Sequence, residues 1–231
     1  MKTLRLFFFT LFSFCLLPFP LLADVESWTA VDVRIPIQSE SEWVPSRLNV
    51  FSIAQLAPRF DGGLGILRYS MGPQWDLSPY FSLSLLGDVV YVGGSKGKIN
   101  QEYRLNIEPV FRGKLFPELS WLDRTRIEYR WFPDHSNWRA RNLLRLNWNG
   151  LSQDWIPYTA HELFVEYPQG FNQSRHIIGV RHVIDRANQL DIGYMWRWRK
   201  DSSGNWDNDH ILMLFLFFAP PDYAQNVTGG E

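Results

Sequence analysis

Polar and apolar residues alternate along much of the chain. In WLDRTRIEYRWF, residues 121–132, the charged positions Arg124, Arg126, Glu128 and Arg130 are separated by apolar and aromatic side chains. Positions two apart are rotated by about 200° on an α-helix, whereas on a β-strand they share one face. The segment therefore predicts a β-strand with one charged face and one apolar face.

The same test predicts strands along the rest of the chain. Clusters of Gly, Pro, Asp and Ser lie between the alternating segments and are typical of turns. No segment predicts a helix or a domain boundary. The further predicted strands are 27–38, 47–60, 64–75, 79–92, 101–112, 138–148, 158–167, 174–184, 189–199 and 209–218.

The first 23 residues, MKTLRLFFFTLFSFCLLPFPLLA, predict a secretory signal peptide cleaved after Ala23. Its apolar run is interrupted by Pro18 and Pro20 and is shorter than the roughly 20 residues of a spanning helix, although an uncleaved anchor is the alternative. Cys15 is the only cysteine, so the mature chain would form no disulfide and no Cys-ligated metal site. The predicted organisation is a signal peptide at 1–23, a barrel at 24–218 and a tail at 219–231.

The spacing of tryptophans separates a membrane barrel from a soluble β-protein. Trp121 and Trp131 lie ten residues apart on the apolar face of one strand, and Trp138 and Trp148 do so on the next. Ten extended residues span about 33 Å, and a tilt of about 40° reduces this to the roughly 25 Å height of an outer-membrane barrel's apolar band. These four residues are predicted to form an aromatic girdle. A soluble periplasmic β-protein is the alternative.

The predicted fold is all-β: a transmembrane antiparallel up-and-down barrel of about ten to twelve strands. Twelve is favoured because bacterial single-chain barrels usually have an even number. The connections at 61–63, 93–97, 133–136 and 168–172 are short, as periplasmic turns are, and longer outer loops are predicted at 39–46, 113–120 and 149–157.

Arginine dominates the cations of the charged face, with eighteen Arg against five Lys in the chain. Arg forms multidentate pairs with carboxylates in confined space. The charged side chains are therefore predicted to fill the lumen and fix the strand register; the excess of Arg leaves open a passage for anionic solutes or lipid phosphates. The predicted lumen charge network comprises Glu102, Arg104, Glu108, Arg112, Arg124, Arg126, Glu128, Arg130, Arg139, Arg141, Arg145, Glu162, Glu166, Arg175, Arg181, Asp191 and Arg197.

Tight turns would set the pairs within this network. Three further acids, Asp32, Asp88 and Asp185, are assigned to the same face. The expected pairs are Glu166 with Arg175, Glu162 with Arg181, Glu128 with Arg141, and Arg130 with Arg139.

An enzymatic alternative is an outer-membrane lipid hydrolase that uses Ser174, His176 and His161 on the lipid-facing side. Nucleophilic catalysis needs a base within hydrogen-bond reach of the hydroxyl and a third group that orients the base. Residues two apart on a strand stand too far apart for this, and no orienting group is evident, so interfacial histidines are the preferred interpretation. The sequence predicts no catalytic site.

No cofactor or metal site is predicted, because the His and carboxylate residues show no ligand spacing. Asp201, Asp207 and Asp209 are read as a solvated loop. The net charge of −1 predicts no nucleic-acid partner.

The chain resembles the outer-membrane β-barrel proteins of domain-of-unknown-function family 2490. The segments that carry the resemblance are SWTAVDVRIPI, QEYRLNIEPVF, RTRIEYRWF, RARNLLRLNW, HELFVEYPQGFNQSRHIIGVRH and HILMLFLFF. The resemblance implies a Gram-negative outer-membrane protein that contacts outer-membrane lipids and, during insertion, the barrel-assembly machinery. It supplies no catalytic residues. The expected function is a non-enzymatic structural or narrow passage barrel.

The segment APPDYAQNVTGGE continues the chain beyond Phe218, whereas outer-membrane barrels usually end on an aromatic residue of the last strand. The sequence therefore leaves open which strand closes the barrel.

Overall fold

The computed structural model has eleven β-strands within the residues that it describes. The structure describes residues 25–37, 41, 43–56, 64–93, 99–185, 187–201 and 203–219. The strands are β1 (Val25–Pro36), β2 (Arg47–Leu56), β3 (Leu64–Ser78), β4 (Phe81–Gly93), β5 (Ile99–Phe116), β6 (Leu119–Trp131), β7 (Ser136–Trp148), β8 (Trp155–Glu166), β9 (Gly170–Val183), β10 (Gln189–Lys200) and β11 (Trp206–Phe218).

Each strand predicted from the alternation is present, and the predicted all-β fold is confirmed. The largest difference lies at the predicted loop 113–120, where β5 continues to Phe116 and β6 begins at Leu119. Only Pro117 and Glu118 connect these strands. The prediction was wrong there because the alternation weakens around Gly113, whose missing side chain leaves room for the ring of Trp121 on the neighbouring strand.

The strands form one closed barrel in the order β1-β11-β10-β9-β8-β7-β6-β5-β4-β3-β2. Consecutive strands are antiparallel, as predicted. The barrel closes through a parallel pair in which Val25 faces His210 and Val33 faces Phe218. The favoured count of twelve strands is therefore not what the structure has: eleven described strands close the ring, and an odd number requires the first and last to run in the same direction.

The closing strand left open by the sequence is thus β11, which contains HILMLFLFF. Since β1 and β11 are parallel, Val25 and Phe218 lie at opposite ends of the barrel. The predicted signal peptide lies outside the described residues, and so does the predicted tail apart from Ala219.

Most connections are short at both ends of the barrel, and the longest, residues 37–46 between β1 and β2, lies where a longer outer loop was predicted. At the end where β1 begins, β8 and β9 are joined by residues 167–169, and β10 and β11 by residues 201–205. At the other end, β3 and β4 are joined by residues 79–80 and β7 and β8 by residues 149–154. The expected contrast between short turns and long outer loops is therefore weak, because several strands extend further than their alternation indicated.

Candidate functional site

Burial is inverted relative to a water-soluble protein. The side chains that point into the barrel include buried carboxylates and guanidinium groups, such as Glu128, Glu162 and Arg126. The outer wall instead exposes large apolar residues, such as Leu105, Ile127 and Ile178. Because neighbouring residues of a strand point to opposite faces, the alternation read from the sequence produces this charged interior and apolar exterior.

Every residue of the predicted lumen charge network contacts an oppositely charged or polar partner. The central carboxylate is that of Glu128, which is fully buried. Arg139, its cross-strand neighbour, donates from Nε to Glu128 at 2.6 Å. The Arg141 Nε lies 3.1 Å from the same carboxylate as a close ion pair without an aligned hydrogen bond. Two arginines thus hold one acid at the middle of the interior.

A second buried carboxylate extends this network around the barrel. The Arg175 Nη1 donates to Glu162 at 3.0 Å, and the Arg124 Nη2 donates to it at 3.4 Å. The Arg141 Nη1 lies 3.6 Å from Glu162 and so links it to Glu128. Since these side chains come from four strands, β6 to β9, the network ties the wall together across non-adjacent strands.

Two smaller groups flank this network along β5. Arg126 donates a hydrogen bond to Glu108. Glu102 accepts two bonds from Arg104, at 2.7 and 2.9 Å, and two from Arg130. The interior of β5 is therefore lined with neutralised pairs.

Glu166 occupies the network near the turn between β8 and β9. The Arg130 Nη1 and the Asn137 Nδ2 both donate to Glu166 at 2.6 Å, and the Asn172 Nδ2 donates at 3.1 Å. These donors come from three different strands. Glu166 is thereby the shared acceptor at this end of the interior.

A separate group lies on the inner face of β7, β9 and β10. Asp191 accepts two bonds from Arg181, at 2.6 and 2.9 Å, and one from Arg145 at 2.8 Å. The guanidinium of Arg145 also stacks 3.6 Å from the ring centre of Tyr158. The Tyr158 side chain lies over Gly179 and Gly193, where a Cβ would come within 3 Å of its ring or of its hydroxyl oxygen. The glycines therefore create the space that positions Tyr158 and, through it, Arg145.

Some predicted partners were wrong. Glu162, not Glu166, faces Arg175 across the β8–β9 pair, because β9 begins at Gly170 directly after the turn. Arg181 pairs with Asp191 instead of Glu162. The contact between Glu128 and Arg141 is present.

Two other expectations about charged residues need correction. Arg130 faces Asn137 rather than Arg139 across the β6–β7 pair. Asp185 lies in the turn between β9 and β10, where its carboxylate accepts the backbone N–H groups of Ala187 and Asn188. Asp185 was assigned to the interior face because alternation alone does not define where a strand ends, and β9 ends before this residue.

The sequence analysis did not assign Asp209 and Glu26 to the interior of the barrel. Asp209, read as part of a solvated loop, lies on β11 and accepts two bonds from Arg197, at 2.6 and 2.9 Å. Glu26 accepts a bond from the same guanidinium at 2.9 Å. Both positions fall within strands whose alternation is irregular. On β2 and β3, Arg47, Arg68 and Ser70 are buried as well; the Arg47 Nη2 donates to Asp76, which is exposed near the end of β3.

Buried side chains fill the interior on the inner faces of β7 to β11 and β1. Phe164, which is 1% exposed, has the guanidinium groups of Arg139, Arg141 and Arg175 at 5.7, 5.8 and 4.4 Å from its ring centre. An adjoining apolar cluster comes from β1 and from β8 to β11, and Arg175 links it to Phe164 because its guanidinium also lies 4.9 Å from the ring centre of Trp28. The cluster comprises Trp28, Tyr158, Ala160, Ile177, Met195, Ile211 and Met213. Since Glu128, Met195 and Ile211 have at most 1% of their surface exposed, water does not reach these side chains.

The four predicted girdle tryptophans lie on the outer wall near the ends of β6 and β7. Trp131 and Trp138 pack around Tyr129, with ring centres 4.5 and 4.6 Å from it. Trp121 lies against Gly113 at the other end of the wall, close to Trp148 across the β6–β7 pair. Tryptophans thus mark both ends of the exposed apolar band.

Ser174, His176 and His161 also lie on the outer wall. His161 and His176 face each other across β8 and β9 with stacked rings, 4.2 Å between centres. Among the described hydrogen bonds, none joins Ser174 to either imidazole, and no carboxylate orients one. The structure brings the two histidines together but does not assemble a nucleophile with a base.

Within the described part of the chain, no group of three or more His, Cys, Asp or Glu side chains is arranged to hold a metal ion. Over the same residues, no helix is long and apolar enough to span a membrane.

The fold and interior define a closed all-β barrel protein with a charge-paired core. Residues 26–208 match the family described as "Protein of unknown function (DUF2490)". The chain belongs to this family, which confirms the resemblance seen in the sequence. A solved structure of the NanC porin in a rhombohedral crystal form is similar, with a TM-score of 0.48 and 8% sequence identity over 84% of this chain and 98% of that chain. No curated protein matches.

Proposed function

We propose that the protein is an integral barrel of the Gram-negative outer membrane that is closed at rest and serves as a non-enzymatic structural component of the envelope. The inverted burial carries this proposal. Hydrocarbon accepts an apolar outer wall and a barrel without free strand edges. A water-soluble barrel with Leu105, Ile127 and Ile178 exposed would aggregate.

The exported state is part of the proposal. A cleaved signal peptide at 1–23 brings the chain to the periplasm, and the assembly machinery inserts it among outer-membrane lipids. The spacing of Trp131 and Trp138 from Trp121 and Trp148 supports this placement, because aromatic girdles mark the two interfaces of outer-membrane barrels.

The closed interior favours a structural component over an open passage. An ion that crosses the barrel would have to pass side chains that are almost fully buried, such as Phe164 among its three guanidinium neighbours and the adjoining apolar cluster. Pairs such as Glu128 with Arg139 are buried, and breaking one by removing a partner costs about 3–5 kcal/mol. The paired arginines therefore act as a filling that holds the wall in register.

Membrane fractionation and heat-modifiable gel migration test the placement. The folded chain is expected in the outer-membrane fraction and to migrate differently before and after boiling. Recovery of the chain in the periplasmic extract alone would refute the proposal and favour a soluble β-protein.

Planar-bilayer recording tests the closed interior. The wild-type barrel is expected to be silent, whereas Phe164→Ala, which removes the central ring, is expected to conduct. Ile178→Ala, on the outer wall, is the matched control and should stay silent. Steady conductance by the wild type, altered in ion selectivity by Arg126→Ala or Arg141→Ala, would instead establish a passage.

A lipid-acting hydrolase has less support, because Ser174 has no hydrogen bond to His161 or His176 within the described residues. Phospholipid or lipid A deacylation that is abolished by Ser174→Ala would reverse this preference.

A further inference from the structure

One part of the outer wall is polar where the wall around it is apolar. We call Asp123, Thr125, Asn142, His161 and His176 the outer polar patch. They lie on four neighbouring strands, β6 to β9, and all point away from the interior. If the barrel spans the membrane as proposed above, this patch faces hydrocarbon.

The patch extends from Asp123, two residues from the girdle residue Trp121, to the middle of the outer wall. His161 is midway along β8 between Trp155 and Tyr167, and Asn142 lies between Trp138 and Trp148 on β7. Lipid acyl chains cannot form hydrogen bonds, so ionisable side chains at this depth are expected to have protein partners.

One side of the patch presents acceptors. The Asn142 Nδ2 donates to the Asp123 Oδ1 at 2.6 Å and to the Thr125 Oγ1 at 3.0 Å. With both amide N–H groups used, the Asn142 carbonyl oxygen and the second Asp123 oxygen remain as acceptors. Neither oxygen has a hydrogen bond among the described residues.

The other side of the patch presents donors. An imidazole carries at least one N–H group. The rings of His161 and His176 stack on each other, and within the described structure neither ring takes part in a hydrogen bond. Their exposed N–H groups therefore complement the acceptors of β6 and β7.

Leu144 lies between the two sides. It faces Asp123 on β6 and His161 on β8, and 44% of its surface is exposed. In a dimer with a two-fold axis along the membrane normal beside Leu144, the acceptors of each barrel would lie against the imidazoles of the other. The same contact would therefore form on both sides of the axis. Self-complementary patches of this kind are the basis of isologous dimers.

We propose that the outer polar patch is the contact surface for a second copy of this chain, in a two-fold dimer packed wall to wall over β6 to β9. This inference rests on the proposed membrane position. The occupant is a second copy rather than a lipid, because the patch contains both hydrogen-bond donors and the acceptors that match them. Leu144 lies between the donors and the acceptors.

Disulfide cross-linking of the full chain in outer membranes tests the proposal. Leu144→Cys is expected to give a covalent homodimer on mild oxidation. Met71→Cys, which is also outward-facing and exposed on β3, four strands away, is the matched control and should remain monomeric. Equal cross-linking at both positions, or none at Leu144→Cys, would overturn the dimer.

The polar contacts are tested in the Leu144→Cys background. Asp123→Leu, and His161→Leu combined with His176→Leu, are expected to lower the cross-linked fraction about tenfold, since a lost free energy of 1.4 kcal/mol corresponds to a factor of ten. Heat-modifiable migration should be unchanged, because these side chains face away from the interior.

The outcomes separate the two proposals. A chain found only in the periplasmic extract contradicts the membrane position itself. A heat-modifiable barrel in the membrane that stays monomeric, or that cross-links through residue 144 only to another protein, leaves the position intact and refutes the homodimer.

Discussion

Arg197 and Glu26 are separated by 171 positions in the chain, yet the Arg197 Nη2 donates to the Glu26 carboxylate at 2.9 Å inside the barrel. The same guanidinium binds Asp209. It therefore connects β10 to β11 and, across the parallel closing pair, to β1. A single interior side chain thus joins the first and last strands of the ring.

Replacing Arg197 is expected to weaken the closure. Arg197→Gln removes the buried cation that Glu26 and Asp209 share, and removing one partner of a buried pair costs about 3–5 kcal/mol. The temperature at which the barrel changes its gel migration should fall accordingly.

The matched control is Arg199→Gln on the same strand. Its side chain is 41% exposed and lies 3.1 Å from Asp209, and exposed pairs contribute roughly 0–1 kcal/mol. Equal effects of the two substitutions would show that Arg197 does not hold the seam.

Gly179 is expected to tolerate no side chain. A Cβ there would lie 2.6 Å from both the Tyr158 ring and the Ile192 carbonyl oxygen. Gly179→Ala should therefore displace Tyr158 and the guanidinium of Arg145 stacked on it, at a cost of about 1–3 kcal/mol typical of overpacking. Denaturant titration of the folded barrel measures this loss.

Gly87→Ala on β4 provides the comparison. A Cβ at that position meets only the Met71 carbonyl oxygen, at 3.9 Å. The substitution should leave the midpoint of unfolding nearly unchanged. If Gly179→Ala were equally harmless, the Tyr158 contact would not be constrained.

Alternation predicted the strands well because it reports directly on which face each side chain occupies. In β6, the predicted face of Arg126 and Glu128 is the interior face of the structure. Alternation carries no information about which strand neighbours the first, so the parallel closure through β11 could not be read from the sequence. The partners of each ion pair could not be predicted either, because they depend on where a strand begins. The start of β9 places Glu162 instead of Glu166 opposite Arg175.

The outer polar patch illustrates a different limit. Asp123 and Asn142 each have the parity of lipid-facing residues, but they become one feature only when the β6–β7 register places them within hydrogen-bond distance. The pairing of His161 with His176 depends likewise on the β8–β9 register. A sequence pattern assigns a face, whereas the register assigns the neighbours on that face.

Asp185 is expected to stabilise the β9–β10 turn in its ionised form. The Asn188 side-chain amide and the backbone N–H groups of Ala187 and Asn188 bond to its carboxylate and lower its pKa below the ordinary value. A lowered pKa means that the stabilisation is fully present above the unfolded-state pKa of about 3.9 and is lost as the pH falls through the folded-state value.

Amide hydrogen exchange measures this effect. At neutral pH, Asp185→Ala should speed exchange at Ala187 and Asn188 by about threefold to tenfold, as expected for loss of a solvent-exposed hydrogen bond. The difference should disappear in acid below the folded-state pKa. A difference that persists unchanged in strong acid would show that the ionised carboxylate is not responsible.

The two ends of the barrel are expected to face different compartments. Leu151 lies in the β7–β8 connection, at the end where β11 finishes, and Ser203 lies in the β10–β11 connection, at the end where β1 begins. If the first strand enters from the periplasm, a membrane-impermeant maleimide added to intact cells should label Leu151→Cys. Ser203→Cys should react only after the outer membrane is permeabilised.

The chain's single native cysteine, Cys15, lies in the predicted signal peptide. Cleavage of that peptide therefore leaves each introduced thiol as the sole target. Labelling of Ser203→Cys alone on intact cells would show that the barrel is inserted the other way round, and labelling of both would contradict a barrel that spans the membrane.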